Sequence, residues 1–228
     1  MARMRIALFD LDGTLTRRDT LLPYVLGFCL RHPLRLLQLA VMPWHVARYF
    51  FRHHDRGELK QALIIAGLRG ATRAEIAEWN QRFVARLIRR GMHAEALQRV
   101  AAHRARGDYL VLMSASPDLY VPAIARALRF NETICTGVRW DGMSLAGQLT
   151  TANRRAEEKL HCVQALRERY PGSHITAYGN SASDVIHLRA CDSGHLVNGS
   201  ATATLEAARA GVAIGWPFES ASTGSHHA

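Results

Sequence analysis

Two aspartates one residue apart, Asp10 and Asp12, close an apolar run that begins almost at the N-terminus: Ile6-Ala7-Leu8-Phe9-Asp10-Leu11-Asp12-Gly13-Thr14-Leu15. Such a run reads as a strand buried on both faces of a parallel sheet. Side chains two apart on a strand share a face, so both carboxylates should emerge where the strand ends, and Gly13 lets the chain turn away sharply. That edge of an open α/β sheet is where ligands bind. Neighbouring carboxylates repel, and one must hold a proton at neutral pH unless a hard divalent cation sits beside them; Mg²⁺ is the natural candidate. The pair suits phosphoryl transfer, with one Asp attacking phosphorus and the other moving the leaving group's proton. An Asp-Gly turn after any buried strand would give the same letters without chemistry, so the rest of the chain has to decide.

Three further stretches follow in order: Tyr109-Leu110-Val111-Leu112-Met113-Ser114, a strand ending in a hydroxyl; Lys159 within Arg155-Ala156-Glu157-Glu158-Lys159; and Gly179-Asn180-Ser181-Ala182-Ser183-Asp184. With Asp10-Leu11-Asp12-Gly13-Thr14 they resemble the four motifs of the haloacid-dehalogenase superfamily of aspartate-nucleophile phosphatases, over roughly residues 5 to 200. Four ordered motifs are far more specific than one. The resemblance implies Asp10 as nucleophile, Asp12 as acid and then base, and Ser114 with the adjacent backbone at Ala115 as phosphate holders. It implies Lys159 as the cation between nucleophile and phosphate, and Asp10, Asp12, Asn180 and Asp184 around Mg²⁺. Asn180 departs from the family, which places an Asp there; an amide oxygen still ligates a hard cation but brings no charge.

These residues need a scaffold, and the expected fold class is α/β: a doubly wound parallel sheet with an inserted helical cap. Core segments 1–16 and 107–218 would flank a cap over 17–106, with a disordered tail over 219–228. Strands are expected at Asp108 to Met113, His174 to Tyr178, Gly194 to Val197 and Val212 to Ile214. A small hairpin is expected around Asp141-Gly142. Pro117 should open a helix to about Leu128, and another should run from Arg155 to Tyr170. In the cap, Thr20 to Leu30 is apolar, and helices are expected from Arg56 to Leu68, from a Thr72-Arg73-Ala74-Glu75 capping box to about Gly91, and from Ala94 to near Gly107.

Composition adds a second theme. Apolar residues make up 48% and charged residues 21%, as in a globular protein, but 29 Lys and Arg face 19 Asp and Glu, for +10. Residues 31–90 hold 12 of those bases against Asp55, Glu58, Glu75 and Glu78, so the cap carries most of the excess. An anionic partner is expected: a phosphate substrate, nucleic acid or a membrane surface. From Arg31 to Arg52 the polar residues fall on one helical face, with Trp44, Tyr49 and Phe50 among the apolar rest and a break at Pro43. No stretch is long and apolar enough to span a bilayer, but this one fits a helix lying on it; equally, it fits the cap's own core with a solvated basic side. Cys29, Cys135, Cys162 and Cys191 are scattered without metal spacing, which reads as reduced thiols in a cytoplasmic protein, and no cleavable signal precedes the first strand.

Within the resembling family, the cap and hairpin are similar to the phosphoserine-phosphatase-like branch, and Asp19 stands where those enzymes face the substrate amine. Their carboxylate-gripping Arg has no counterpart in Gln61 to Leu68, and a long, apolar, basic cap looks closer to the C-type phosphatidylglycerophosphatases. The substrate is therefore expected to be a lipid-headgroup phosphate or a small soluble phosphomonoester such as phosphoserine. A non-catalytic anion- or nucleic-acid-binding protein on this scaffold ranks last, because the arginines carry no nucleic-acid motif.

Overall fold

A computed structural model describes residues 3–32 and 56–217. Strand β1 (Arg5–Phe9) is the centre of a six-stranded sheet. Beside it lie β2 (Tyr109–Pro117) and then β3 (Glu132–Thr136) on one side. On the other side come β6 (His174–Gly179), β7 (Ser193–Leu196) and β8 (Ala213–Ile214). Every neighbouring pair is parallel. The order β3-β2-β1-β6-β7-β8 grows outward from β1 in opposite directions, so the connections reverse between β1 and β6 and leave a crevice at the carboxyl ends of those two strands. A separate antiparallel hairpin, β4 (Val138–Asp141) with β5 (Ser144–Leu149), lies apart from this sheet.

The alternation of side chains explains why β1 is apolar throughout. Ala7 and Phe9 enter one core with Leu110 and Leu112 of β2. Ile6 and Leu8 enter the core on the other face with Val111 and Met113. Helices cover both faces. Helix α1 (Leu21–Cys29), α2 (Arg56–Leu68) and α3 (Arg73–Arg90) belong to the insertion between β1 and β2. The Thr72 capping box is present: Thr72 Oγ1 accepts from Glu75 N at 3.2 Å and Glu75 Oε2 accepts from Thr72 N at 2.7 Å. Helix α4 (Ala94–Ala105) follows; α5 (Val121–Ala127), α6 (Glu157–Arg169), α7 (Val185–Arg189) and α8 (Ala201–Arg209) complete the layers.

The insertion has a narrow neck. Thr16 and Met92 form an antiparallel bridge, Arg17 N donates to Gly91 O at 2.8 Å, and His93 N donates to Leu15 O at 2.9 Å. Beyond the neck, Ala96 and Val100 of α4 join the core of Phe9, and His103 Nδ1 and Nε2 lie 2.8 Å from Asp108 Oδ2 and Tyr178 Oη. Helix α4 thus sits on the sheet, whereas the division by sequence placed it in the cap as far as residue 106.

Two other expectations change. Strand β2 runs on through Ser114 to Pro117, and the helix expected from Pro117 begins at Val121 instead, because Pro122 is the proline in its first turn. Strand β3, with half-buried Glu132 and Thr133 and no apolar alternation, has no sequence signal and went unread. No cysteine pairs in a disulfide among the described residues. No described helix is long and apolar enough to cross a membrane. The Arg35, Arg48 and Arg52 stripe, Pro43, Trp44, Tyr49, Phe50 and the 219–228 tail lie outside the described residues.

Candidate active site

The crevice at the switch point collects the motif residues. Lys159, buried near the start of α6, donates from Nζ to Asp10 Oδ1 at 2.6 Å and to Asp184 Oδ1 at 2.7 Å. Burial opposes its charge, but the carboxylates of Asp10 and Asp184 outweigh that and hold its proton more tightly than usual. Asp184 Oδ2 accepts from Asn180 N, Ser181 N and Ser181 Oγ at 3.2, 3.0 and 2.7 Å. Burial works against its ionisation too, yet Lys159, His187 and these donors keep it well below the ordinary carboxylate range. Asp10 is different. Apart from Lys159 it has Thr14 Oγ1, at 3.1 Å to Oδ2, and burial with help from Asp184 and Asp12 pushes it up to about 7. Of the two carboxylates sharing one ammonium, Asp10 carries the unrelieved negative charge.

Asp12 leaves the same turn towards β2. Its Oδ1 accepts from Thr20 N at 2.8 Å and Thr20 Oγ1 at 2.7 Å, and its Oδ2 from Ser116 Oγ at 2.6 Å. Burial, then the nearby charge of Asp19, raise its pKa against these donors, which favours a carboxyl able to carry a proton. The two aspartates therefore emerge from one turn, as expected, but with separate partners. The turn is wound about one carbonyl: Leu11 O accepts from Thr14 N, Leu15 N and Thr16 N at 3.3, 2.9 and 2.9 Å.

Asn180, after β6, lies against that turn. Gly13 has φ +82°, and a Cβ there would sit 2.0 Å from Asn180 Nδ2, so the close approach and the left-handed backbone both require glycine. Thr14 Oγ1 stands 3.1 Å from Asp10 Oδ2 and 3.5 Å from Asn180 Oδ1, which brings these two oxygens to one place. Among the described residues no three His, Cys, Asp or Glu side chains converge as a closed metal cage. Three buried or half-buried carboxylates against one Lys, with two oxygens that share only the Thr14 hydroxyl, fit Mg²⁺, which uses one or two carboxylates and keeps waters and substrate phosphate as its other ligands. The side chains of Asp12 and Asp184, expected with the metal set from the sequence, are hydrogen-bonded here to protein donors, Asp12 to Thr20 and Ser116 and Asp184 to Lys159, Asn180 and Ser181.

Ser114 Oγ accepts from Ser116 N at 3.0 Å, and the half-buried Ala115 turns its carbonyl to Thr136 Oγ1 at 2.7 Å and to Lys60 Nζ. Asp19 is exposed just before α1, accepting from Leu21 N at 3.0 Å. The sequence reading missed Thr14, Thr20, Ser116 and Lys60. Lys60, on α2, also reaches Asn153 Oδ1 at 2.5 Å and so ties the cap to the end of β2 and to the segment before α6. A signal for it existed: Lys60 and Lys159 are the chain's two lysines among 29 basic residues, and both ammonium groups are spent in this crevice. A compact ammonium fits where a planar guanidinium does not.

Behind Asp184, His187 is buried, with Nδ1 3.9 Å from Asp184 Oδ1 and no hydrogen-bond partner on either nitrogen. Burial, then Lys159, lower its pKa to about 3. The unfolded chain takes up this proton near pH 6.5 and the folded chain does not, so stability falls as pH drops from about 6.5 towards 3. His187→Leu should remove this part of the acid sensitivity, about 2 kcal/mol at pH 5. Urea unfolding at pH 7 and pH 5 checks it; an unchanged pH dependence in the variant would show that His187 does not titrate this way.

Comparison with known proteins agrees with this geometry. The family profile described as haloacid dehalogenase-like hydrolase matches residues 7–189. Protein CicA of Caulobacter vibrioides is 35% identical over 189 residues, covering 81% of this chain and 82% of CicA. A probable phosphatase of Mycobacterium tuberculosis is 26% identical over 217 residues, covering 92% of this chain and 73% of that protein. A Bordetella pertussis Tohama I protein described as of unknown function superposes with TM-score 0.77 at 23% identity, over 95% of this chain and 100% of that one. A phospho-aspartyl intermediate analogue of phosphoserine phosphatase superposes with TM-score 0.64 at 12% identity, over 93% of each chain, and shares the fold. On the matched span, which carries every residue of the crevice described above, the chain belongs to the haloacid dehalogenase-like hydrolases and is an enzyme of that family.

Proposed function

We propose that the protein is a phosphomonoester hydrolase that works through an aspartyl-phosphate. The observation that carries this reading is the division of labour in the crevice. Asp10 has unrelieved charge and one lysine beside it, and Asp12 sits in the same turn with its proton affinity raised. Asp10 attacks phosphorus while protonated Asp12 gives its proton to the leaving oxygen. Asp12, now a carboxylate, takes a proton from the water that attacks phosphorus of the Asp10 acyl phosphate, which releases inorganic phosphate and returns both groups to their starting states. Lys159 holds its charge throughout and offsets the negative charge of nucleophile and phosphoryl oxygens, while Ser114 and the backbone at Ala115 lie on the strand end that would bound the phosphoryl group. Asp10 and Asn180, with Asp184 ordering the Asn180 loop, would hold Mg²⁺, which would supply charge neutralisation to the nucleophile and the phosphoryl group.

The substrate we favour is a lipid-headgroup phosphate such as phosphatidylglycerophosphate, on the basic excess of residues 31–90 and the absence of an Arg in Gln61 to Leu68. Phosphoserine or a similar soluble phosphomonoester is the second reading, favoured by the shared fold with phosphoserine phosphatase. Hydrolysis of a panel holding both classes, with and without Mg²⁺, tests the proposal. Metal-dependent release of phosphate from at least one is expected, and none from any would sink it. Asn180→Asp adds a charged oxygen and should lower the Mg²⁺ concentration for half-maximal activity by about tenfold. An unchanged metal dependence would place Asn180 away from the cation.

A further inference from the structure

Helix α1 contains no charged side chain, and its one hydroxyl, on Tyr24, is turned inward to Asn80: Leu21-Leu22-Pro23-Tyr24-Val25-Leu26-Gly27-Phe28-Cys29. Its inner face is accounted for, since Leu21, Tyr24, Val25, Phe28 and Cys29 are buried and Gly27 lets the helix close on Trp79, where a Cβ would come within 2.6 Å of the indole. A surface helix packed this way ordinarily turns polar residues outward. This one turns out Leu22, Leu26 and Leu30, on successive turns of one stripe, with 50%, 40% and 71% of their surfaces exposed. Arginines bracket the stripe: exposed Arg17 and Arg18 before it and Arg31 after it, against one acid, Asp19.

We infer that this stripe is a docking surface for an anionic lipid bilayer. Leucines with an arginine rim are the composition of an element that rests in the headgroup boundary, and the +10 of the whole chain is complementary to an anionic leaflet and not to an acidic-poor, neutral partner. The surface also adjoins the chemistry. Thr20, at the start of α1, gives Asp12 two hydrogen bonds, so a bilayer under α1 would hold the crevice beside its headgroups. The inference rests on the lipid-phosphate reading above and names where that substrate would be met.

The test is co-sedimentation with vesicles of phosphatidylcholine containing phosphatidylglycerol at about one part in three, against pure phosphatidylcholine vesicles. It uses the full chain, wild type and the triple variant Leu22→Ser, Leu26→Ser, Leu30→Ser. Wild type should bind the anionic vesicles at low salt and leave them at high salt. The triple variant should bind at least about tenfold more weakly, with an unchanged Tm and an unchanged sedimentation coefficient in solution. Wild type ignoring anionic vesicles, or the variant binding as well as wild type, overturns the inference. So does a variant whose Tm falls by many degrees, which would mean that the stripe is covered within the protein itself, or a wild-type dimer that the variant turns into a monomer, which would mean that a second copy covers it. Hydrolysis of a soluble phosphomonoester is measured alongside. Its absence in wild type counts against the enzymatic reading alone, and its presence without vesicle binding counts against the docking surface alone.

Discussion

Asp10→Asn is expected to lower turnover by about a thousandfold or more while leaving the protein folded, because the amide keeps the shape of the carboxylate and loses its nucleophilicity. The stability result should go the other way. In the metal-free protein, burial raises Asp10 from 3.8 to about 7, so the unfolded chain releases this proton first and stability falls as pH climbs between those values. The amide abolishes that loss. With a chelator at pH 8, Asp10→Asn should therefore melt no lower than wild type. Retained turnover would remove Asp10 from the chemistry, and a large drop in Tm would mean that its ion pair with Lys159 outweighs its burial.

Lys159→Met should damage fold and turnover together. The ammonium touches Asp10 and Asp184 at 2.6 and 2.7 Å, and removing it leaves two buried carboxylates facing each other. Breaking a buried ion pair on one side costs about 3–5 kcal/mol, read as a lower urea midpoint at pH 7. The pairing can be separated from simple loss of packing by adding Asp10→Asn to the same chain. If charge is the cause, the double variant recovers part of the stability, without activity. If Lys159→Met is as stable as wild type, the ion pairs do not hold the crevice together.

What could be read in advance followed from how local each signal is. The run Ile6 to Phe9 announces a doubly covered strand because all four residues must be apolar there, and Thr72 to Glu75 announces a helix start within four letters. Asp10, Asp12, Lys159, Asn180 and Asp184 were legible through the order of their motifs, although only the fold shows that Lys159 bridges Asp10 to Asp184 across 149 and 25 residues. Ser116 and Thr20 were not legible, since a serine and a threonine near turns are common and nothing short-range tells that both will meet Asp12. The end of β2 was misjudged for a related reason. Pro117 looks like punctuation, but its register partner Thr136 belongs to a strand that polar residues conceal.

The neck at Thr16 and Met92 has a consequence for how such a protein can be rebuilt. The chain departs for the cap and returns from it at two paired residues, Thr16 and Met92, so the two ends of the insertion adjoin. Segments with adjoining ends are those that tolerate exchange, since their replacement asks nothing of the backbone on either side. The cap can accordingly be treated as a cassette: a foreign insertion spliced between Arg17 and Gly91 would inherit an intact Asp10 turn, an intact α4 and an undisturbed sheet. It would have to supply anew what the native segment contributes to its surroundings, including the two hydrogen bonds of Thr20 to Asp12, the reach of Lys60 to Ala115, the bonds of Asn80 to Leu119 and of Leu149 to Gln61, and the packing of Tyr24 and Phe83 on Tyr120.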